Sequence, residues 1–276
     1  MLQKFFRRRI WIRSLVQVFF FILVALITVN HTFKETGNAL PFIGSASVHA
    51  ICPFGGIETL YQYISSGVFI PKVFESAFIL MVIAFVLAIF FGPVICGWVC
   101  PLGTIQEWFG FLGRKYYKRR YNHFIPEKID NVLRYLRYAV LALVVYFSAA
   151  YASLVFANYD PYYALFHFWT GETALSALLI LGITLLGSLF VERPWCKYAC
   201  PYGAFLGIFN LFRVFQIRRS DKICKLDYAC DIACPMNIKV SEKKIIRDHQ
   251  CISCLECTTE ASCPFAGVVE FVAGGK

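Results

Sequence analysis

Cys251-Ile-Ser-Cys254-Leu-Glu-Cys257 sets three thiols at two-residue spacing, enough to wrap a short loop around one corner of a cubane iron–sulfur cluster. A fourth ligand must come from elsewhere, and in two-cluster ferredoxins the Cys of a Cys-Pro pair in the other motif supplies it. Cys224, Cys230 and Cys234 lie upstream, the last followed by Pro235; Cys263 lies downstream, followed by Pro264. The crossed assignment puts Cys251, Cys254, Cys257 and Cys234 on one cluster, and Cys224, Cys230 and Cys263 on the other. Zinc sites use two separated ligand pairs and fit this dense run poorly.

The first half of the pair has a gap. Regular spacing asks for a cysteine at 227, where the chain has Asp227. A carboxylate binds iron less softly than a thiolate. The second cluster is therefore read either as a four-iron cubane with Asp227 as ligand or as a three-iron cluster, with Asp227 then a solvated loop residue. The wider spacing from Cys257 to Cys263 implies a small insertion before the last ligand.

Two further cysteine pairs repeat each other. Cys96-Gly-Trp-Val-Cys100-Pro101-Leu-Gly103 and Cys196-Lys-Tyr-Ala-Cys200-Pro201-Tyr-Gly203 share C-x3-C-P-x-G, one hundred residues apart. In each, the second cysteine precedes a proline suited to the first position of a helix. Two such halves related by a pseudo-two-fold axis bring four cysteines together for a further iron–sulfur centre or a redox dithiol set. The alternative is a turn that starts an interfacial helix, with inert thiols. Cys52-Pro53-Phe54-Gly55 repeats only the second half, so a turn is as good a reading there as ligation.

The elements that must position these groups are apolar. The 276-residue chain is 58% hydrophobic and 16% charged, and its mean hydropathy is +0.60, outside the range of soluble domains. Stretches of about twenty apolar residues cross a bilayer as helices. Ser14–Val29, Ser76–Ile95, Tyr135–Phe156 and Thr173–Val191 are the expected spans, with Trp11 and Arg13 anchoring the first at the interface. The expected fold is an all-α membrane bundle of four transmembrane helices carrying the two half repeats, followed by a small ferredoxin-like α+β two-cluster domain. The divisions are a basic N-terminus at 1–13, the membrane domain at 14–215 and the iron–sulfur domain at 216–276. No cleavable signal is expected, since the first apolar run lacks a small-residue cleavage site.

Basic residues cluster before span one, between spans two and three and after span four. The positive-inside rule then puts both termini in the cytoplasm of a multi-pass inner-membrane protein. The net charge of +10 reflects that orientation, so no nucleic-acid partner is expected. Twelve cysteines in a reducing compartment read as metal-binding rather than as a disulfide frame. On the outer side fall His31, His49 and His167, with Asp160, Tyr162 and Tyr163. Such groups suit a quinol headgroup pocket, because quinol oxidation releases protons that histidine and carboxylate accept. An ordinary interfacial aromatic belt is the plainer reading.

These motifs together resemble the NapH-type family: polytopic, ferredoxin-like membrane proteins described as quinol dehydrogenase components and related to the membrane part of nitrous-oxide reductase regulators. Spans, both C-x3-C-P motifs and the C-terminal cluster motifs match in order over nearly the whole length. The resemblance implies electron transfer between the quinone pool and a partner redox protein. If both faces take part, electrons cross about 30 Å of hydrocarbon, and a centre at Cys96, Cys100, Cys196 and Cys200, a bound haem, flavin or quinone, or a flavin- or haem-bearing partner subunit must bridge it. Asp227 and the His49–Gly56 segment depart from the family pattern and leave the terminal acceptor open. The same cysteines would also serve an assembly or metal-reduction factor for a respiratory oxidase, or a cluster-based redox sensor; quinone dependence separates these readings.

Overall fold

The computed structural model describes residues 2–35, 71–151, 158–168, 173–220, 228–259, 261–263 and 267–274. His49, Cys52, Cys224 and Asp227 lie outside these, and so does the side chain of His31.

The first helix, α1 (Leu2–Glu35), is continuous through the basic N-terminus. Its apolar stretch Trp11–Asn30 is long enough to cross a membrane, with mean hydropathy 2.4. Next come α2 (Pro71–Phe91), α3 (Val94–Trp98) and α4 (Pro101–Tyr117). The second half runs through α5 (Glu127–Leu133), α6 (Leu136–Tyr151), α7 (Pro161–His167), α8 (Leu175–Gly187), α9 (Pro194–Tyr198) and α10 (Pro201–Phe209). Among the described residues only Trp11–Asn30 meets the length and hydropathy of a full span; Ile79–Phe91 and Leu175–Gly187 are shorter apolar helices. At 1.5 Å per residue the 13 residues of α8 reach about 20 Å, short of a hydrocarbon core of about 30 Å.

The two halves match in backbone detail. Cys100 and Cys200 are the N-caps of α4 and α10, with φ/ψ of −63°/115° and −70°/112°. Each donates its backbone N–H to the residue five before it, Ile95 or Trp195, at 2.9 Å. Proline then opens the next helix, where its missing N–H leaves no bond unmade. In the packing, α1 lies on α4 as α6 lies on α10.

The tail is α+β. Strand β1 (Phe215–Arg219) pairs antiparallel with β2 (Val269–Ala273), Phe215 opposite Ala273 and Arg219 opposite Val269, and the short helix α11 (Ala229–Ile232) lies between them in sequence. One buried core runs from the helices into this tail: Ala88, Cys96, Cys196 and Leu206 pack with Ile217, Met236, Ile246, Cys251 and Val268. A second cluster joins Val24, Leu102, Phe166 and Leu181, with Cys100 and Tyr162 packed against it.

The helices show an inverted surface. On α1 the exposed side chains include Leu15, Phe19, Ile22 and Leu26, whereas Arg13, Gln17, Thr28 and Asn30 are buried. On α8 Leu179, Ile183 and Leu186 face outward while Thr184 is buried, as is Ser188 just beyond.

Candidate iron–sulfur sites

Cys234, Cys251, Cys254 and Cys257 line one cavity, and every other side chain on its wall is apolar, among them Ile217, Met236, Ile246 and Leu255. Burial pushes the Cys234 thiol up to about 12, and burial with neighbouring thiols raises Cys257 as well. Thiols raised in this way resist ionisation unless a cation shares their charge. Among the described residues no three His, Cys, Asp or Glu side chains converge closely enough for a single metal ion. The sulfurs ring a space instead, and each cysteine of a cubane binds its own iron.

The donors around the cavity suit an anionic centre. The Ile238 N–H points at Cys234 Sγ (3.4 Å), and Arg213 Nη1 lies 3.8 Å from Cys251 Sγ. Arg213 is 1% exposed, and its other acceptors are Ser253 Oγ (3.0 Å) and the Ile246 carbonyl (2.7 Å). Arg137, also buried, donates to Gln250 and to the His249 carbonyl. Among the described residues neither arginine pairs with a carboxylate. A buried, uncompensated cation is costly, and the charge of a thiolate-bound cluster beside Cys251 would supply the missing anion. On that test the residues present fit the group.

The second gathering is Cys96, Cys100, Cys196 and Cys200. Burial is the main cause that raises all four, and the thiols raise one another: Cys100 and Cys196 act on Cys96, and all three of the others act on Cys200. Burial takes Cys196 to about 12. The Gly203 N–H donates to Cys200 Sγ (3.3 Å), and Gln106 Nε2 points at Cys196 Sγ (3.6 Å).

The two gatherings touch. A Cβ on Gly97, inside the first C-x3-C motif, would stand 2.5 Å from the Ile252 carbonyl and 3.4 Å from Cys254 Cα. Trp98 Nε1 donates to the Ser253 carbonyl at 3.1 Å. Between them lies a buried ionic hub. Arg193 donates to the Cys96 carbonyl and pairs with Glu107 (3.0 Å). Arg13 donates to the Gly97 carbonyl (3.1 Å) and pairs with both Glu107 and Glu256. Arg13 is 7% exposed, so the interfacial anchor expected of it is corrected: Glu107 and Glu256 draw it inward. Gly103 admits the hub, because a Cβ there would come within 2.8 Å of Arg193 Nη1.

Gly97→Ala is expected to cost about 1–3 kcal/mol through overpacking against the cluster loop. Thermal unfolding in detergent checks it against Gly182→Ala, where a Cβ meets nothing within 4 Å. Equal midpoints for the two variants would contradict the contact.

The other expected residues are scattered. Cys230 is 6% exposed and near enough to Cys257 to raise it. Cys263 donates its N–H to the Thr259 carbonyl (2.8 Å). Asp160 caps α7, its Oδ1 accepting from the Tyr162 N–H at 3.0 Å. It lies near enough to Cys100 to raise that thiol, although the sequence reading puts the two on opposite faces. His167 stacks on Tyr163 at 4.2 Å between ring centres. Glu107 and Arg193 are not among the residues expected from the sequence, where Arg13 and Arg213 figure among the basic residues that set orientation, Arg13 also as an anchor. A charged residue within an apolar stretch, as Glu107 is within 104–112, is the signal that points to them.

A family model described as a 4Fe-4S binding domain matches the chain twice, at residues 74–119 and 173–220, each match holding one C-x3-C-P motif. The chain is 36% identical over 218 residues to protein MJ0750 of Methanocaldococcus jannaschii, covering 77% of this chain and 83% of that one. It is 28% identical over 180 residues to the ferredoxin-type protein NapH of Haemophilus influenzae, covering 62% of this chain and 60% of NapH. The chain belongs to the NapH-type ferredoxin-like family. YccM of Escherichia coli is also similar, 28% identical over 246 residues, covering 87% of this chain and 68% of YccM. No solved structure matches. Iron–sulfur binding is thus common ground between the family and the cysteines of this chain.

Proposed function

We propose that the protein is a multi-pass membrane electron carrier that links a quinone pool to a partner redox protein. The carrying observation is the contact between the two cysteine gatherings, through Gly97, Trp98 and the Arg13–Glu107–Arg193 hub. Iron–sulfur clusters supply one-electron transfer, and transfer between them needs close approach. In this reading Cys234, Cys251, Cys254 and Cys257 hold one tail cluster, and Cys224, Cys230 and Cys263 with Asp227 hold the other. Cys96, Cys100, Cys196 and Cys200 hold a further centre. Arg213 and the Ile238 N–H tune the first through hydrogen bonds to sulfur, and Gln106 and the Gly203 N–H tune the last.

The inverted surface supports a lipid-facing bundle, and we read it as the expected four spans, with the clustered basic residues favouring cytoplasmic termini. Water does not favour Leu15, Phe19, Ile183 and Leu186 outside with Arg13, Gln17 and Thr184 inside; lipid does. The quinone site is assigned to the surroundings of Asp160, Tyr162, Tyr163 and His167. The reach from Asp160 to Cys100 supports it, because a quinol bound there stands beside an electron acceptor and a carboxylate. Burial takes the Asp160 carboxyl up to about 6, suited to accepting a proton near neutral pH.

The test is anaerobic reduction of the full-length protein in liposomes by a reduced quinone, followed by visible bleaching and EPR. Reduction by quinol, slowed at least tenfold by Asp160→Asn, is the expected result. Centres that dithionite reduces and quinol does not would overturn the quinone link.

A further inference from the structure

Two glutamates meet the Arg193 segment that leads into the second C-x3-C-P motif, in opposite surroundings: Glu107 acts on Cys196, and Glu192 adjoins Arg193, four residues before Cys196. Glu107 is held by Arg193 and Arg13 and by Gln17 Nε2 (2.8 Å). Burial opposes its charge, yet the two guanidiniums hold its carboxyl below the ordinary range. Glu192 follows α8 and adjoins Arg193, and it is 3% exposed. Its backbone N–H is fixed by Asn122 Oδ1 (3.1 Å), and among the described residues its carboxylate has one ion pair, Arg114 at 3.3 Å. That cation is itself half exposed and opens to solvent.

The groups that face Glu192 come from each packed element: Arg114 and Glu107 from α4, Arg13 from α1, Tyr121 from the turn beyond α4, and Arg193 from its own segment. Arg13 and Arg193 are already committed to Glu107. Burial therefore outweighs the attraction of Arg114 and takes the Glu192 carboxyl up to about 7, with the charge of Glu107 adding to the rise. Titratable pairs whose surroundings drive them apart mark a division of labour. Here Glu107 is the permanent counter-ion of the hub, and Glu192 is poised to change charge. Arg193 joins it to the cysteines, since it follows Glu192 in sequence and donates to the Cys96 carbonyl.

We propose that Glu192 is the proton-binding site of the centre held by the two C-x3-C-P motifs, so that an electron entering that centre draws one proton from solvent past Arg114 onto the Glu192 carboxylate. This rests on the reading that those motifs hold a redox centre. The step balances: an external reductant gives one electron to the centre, a solvent hydronium gives one proton to the carboxylate, and its O–H bond breaks as the Glu192 O–H bond forms, releasing water. Negative charge added to the centre raises the proton affinity of a nearby buried acid. Reduction and proton uptake therefore favour each other.

The experiment is an EPR-monitored redox titration of the full-length protein with dithionite between about pH 6 and about pH 9, with iron counted in each preparation. The sign follows from the linkage. Where the oxidised form is deprotonated and the reduced form protonated, each unit rise in pH weakens reduction up to tenfold, about 59 mV for one electron. The wild type is expected to show that slope, and Glu192→Gln to lose it at unchanged iron content. Arg114→Gln, which removes the cation that favours the carboxylate, is expected to shift the sloping region to higher pH. A flat wild-type profile, a slope retained in Glu192→Gln, or an Arg114→Gln profile identical to wild type would overturn the proposal. If Glu192→Gln fails to assemble, Arg114→Gln decides. Failure of the underlying reading is separate: the wild type would then give no EPR signal beyond those of the tail clusters and no iron beyond theirs.

Discussion

Cys254→Ser is expected to lower the iron content by about four atoms per chain, the loss of one cubane. The residue sits in the cavity with Cys234, Cys251 and Cys257, and its loop backs directly on Gly97. Serine keeps the size and loses the soft thiolate donor that iron favours over oxygen in such sites. The remaining three thiols would face a wall otherwise made of apolar side chains. Arg213 and Arg13, which lean towards this loop, would then lose an anionic neighbour. The loss is therefore expected to spread from the iron count to the packing, as a lower yield of folded protein. Iron and acid-labile sulfide analysis with EPR of the reduced protein checks it. Unchanged iron and an unchanged spectrum would remove Cys254 from the ligand set.

The second large effect is expected at Glu107, where no metal is involved. Among the described residues Glu107→Gln leaves Arg193 with no acidic partner and Arg13 with Glu256 alone. Removing one member of a buried ion pair costs about 3–5 kcal/mol, because the stranded charge stays desolvated. In a chain of this size that is roughly 6–20 °C in the thermal midpoint. Differential scanning fluorimetry in detergent measures it. A midpoint within about 2 °C of wild type would mean that the hub does not hold the two gatherings together. The effect reaches both sites, since Arg193 is fixed on the Cys96 carbonyl and Arg13 on the Gly97 carbonyl and Glu256.

Much of the gathering of cysteines is legible in the sequence because the spacing that brings these thiols together is local. The spacing of Cys251, Cys254 and Cys257, with the Cys-Pro at Cys234, groups the same four residues that line the cavity. The doubled C-x3-C-P is legible for the same reason: a thiol N-cap followed by proline is a local structure, and it recurs at Cys100 and Cys200 with nearly the same backbone angles. What the sequence hides depends on packing between distant segments. Gly97 carries no signal in the sequence beyond its place inside C-x3-C, yet its missing side chain lets that motif touch the Ile252–Cys254 loop. Arg13 reads as an anchor because its partners, Glu107 and Glu256, come from elsewhere in the chain. Asp160 reads as remote from Cys100, yet the fold brings it within electrostatic reach. Of the four expected spans, Trp11–Asn30 stands out by length and hydropathy, because α6 and α8 are described over only 16 and 13 residues.

The most direct measurement is an anaerobic EPR redox titration with iron and acid-labile sulfide counts on the wild type and on Cys96→Ser/Cys196→Ser. More than about eight irons in the wild type, falling in the variant together with one set of signals, is the predicted result. Two tail clusters would then stand beside a further centre on the far side of Gly97. About eight irons in both proteins would confine the clusters to the tail and contradict the relay.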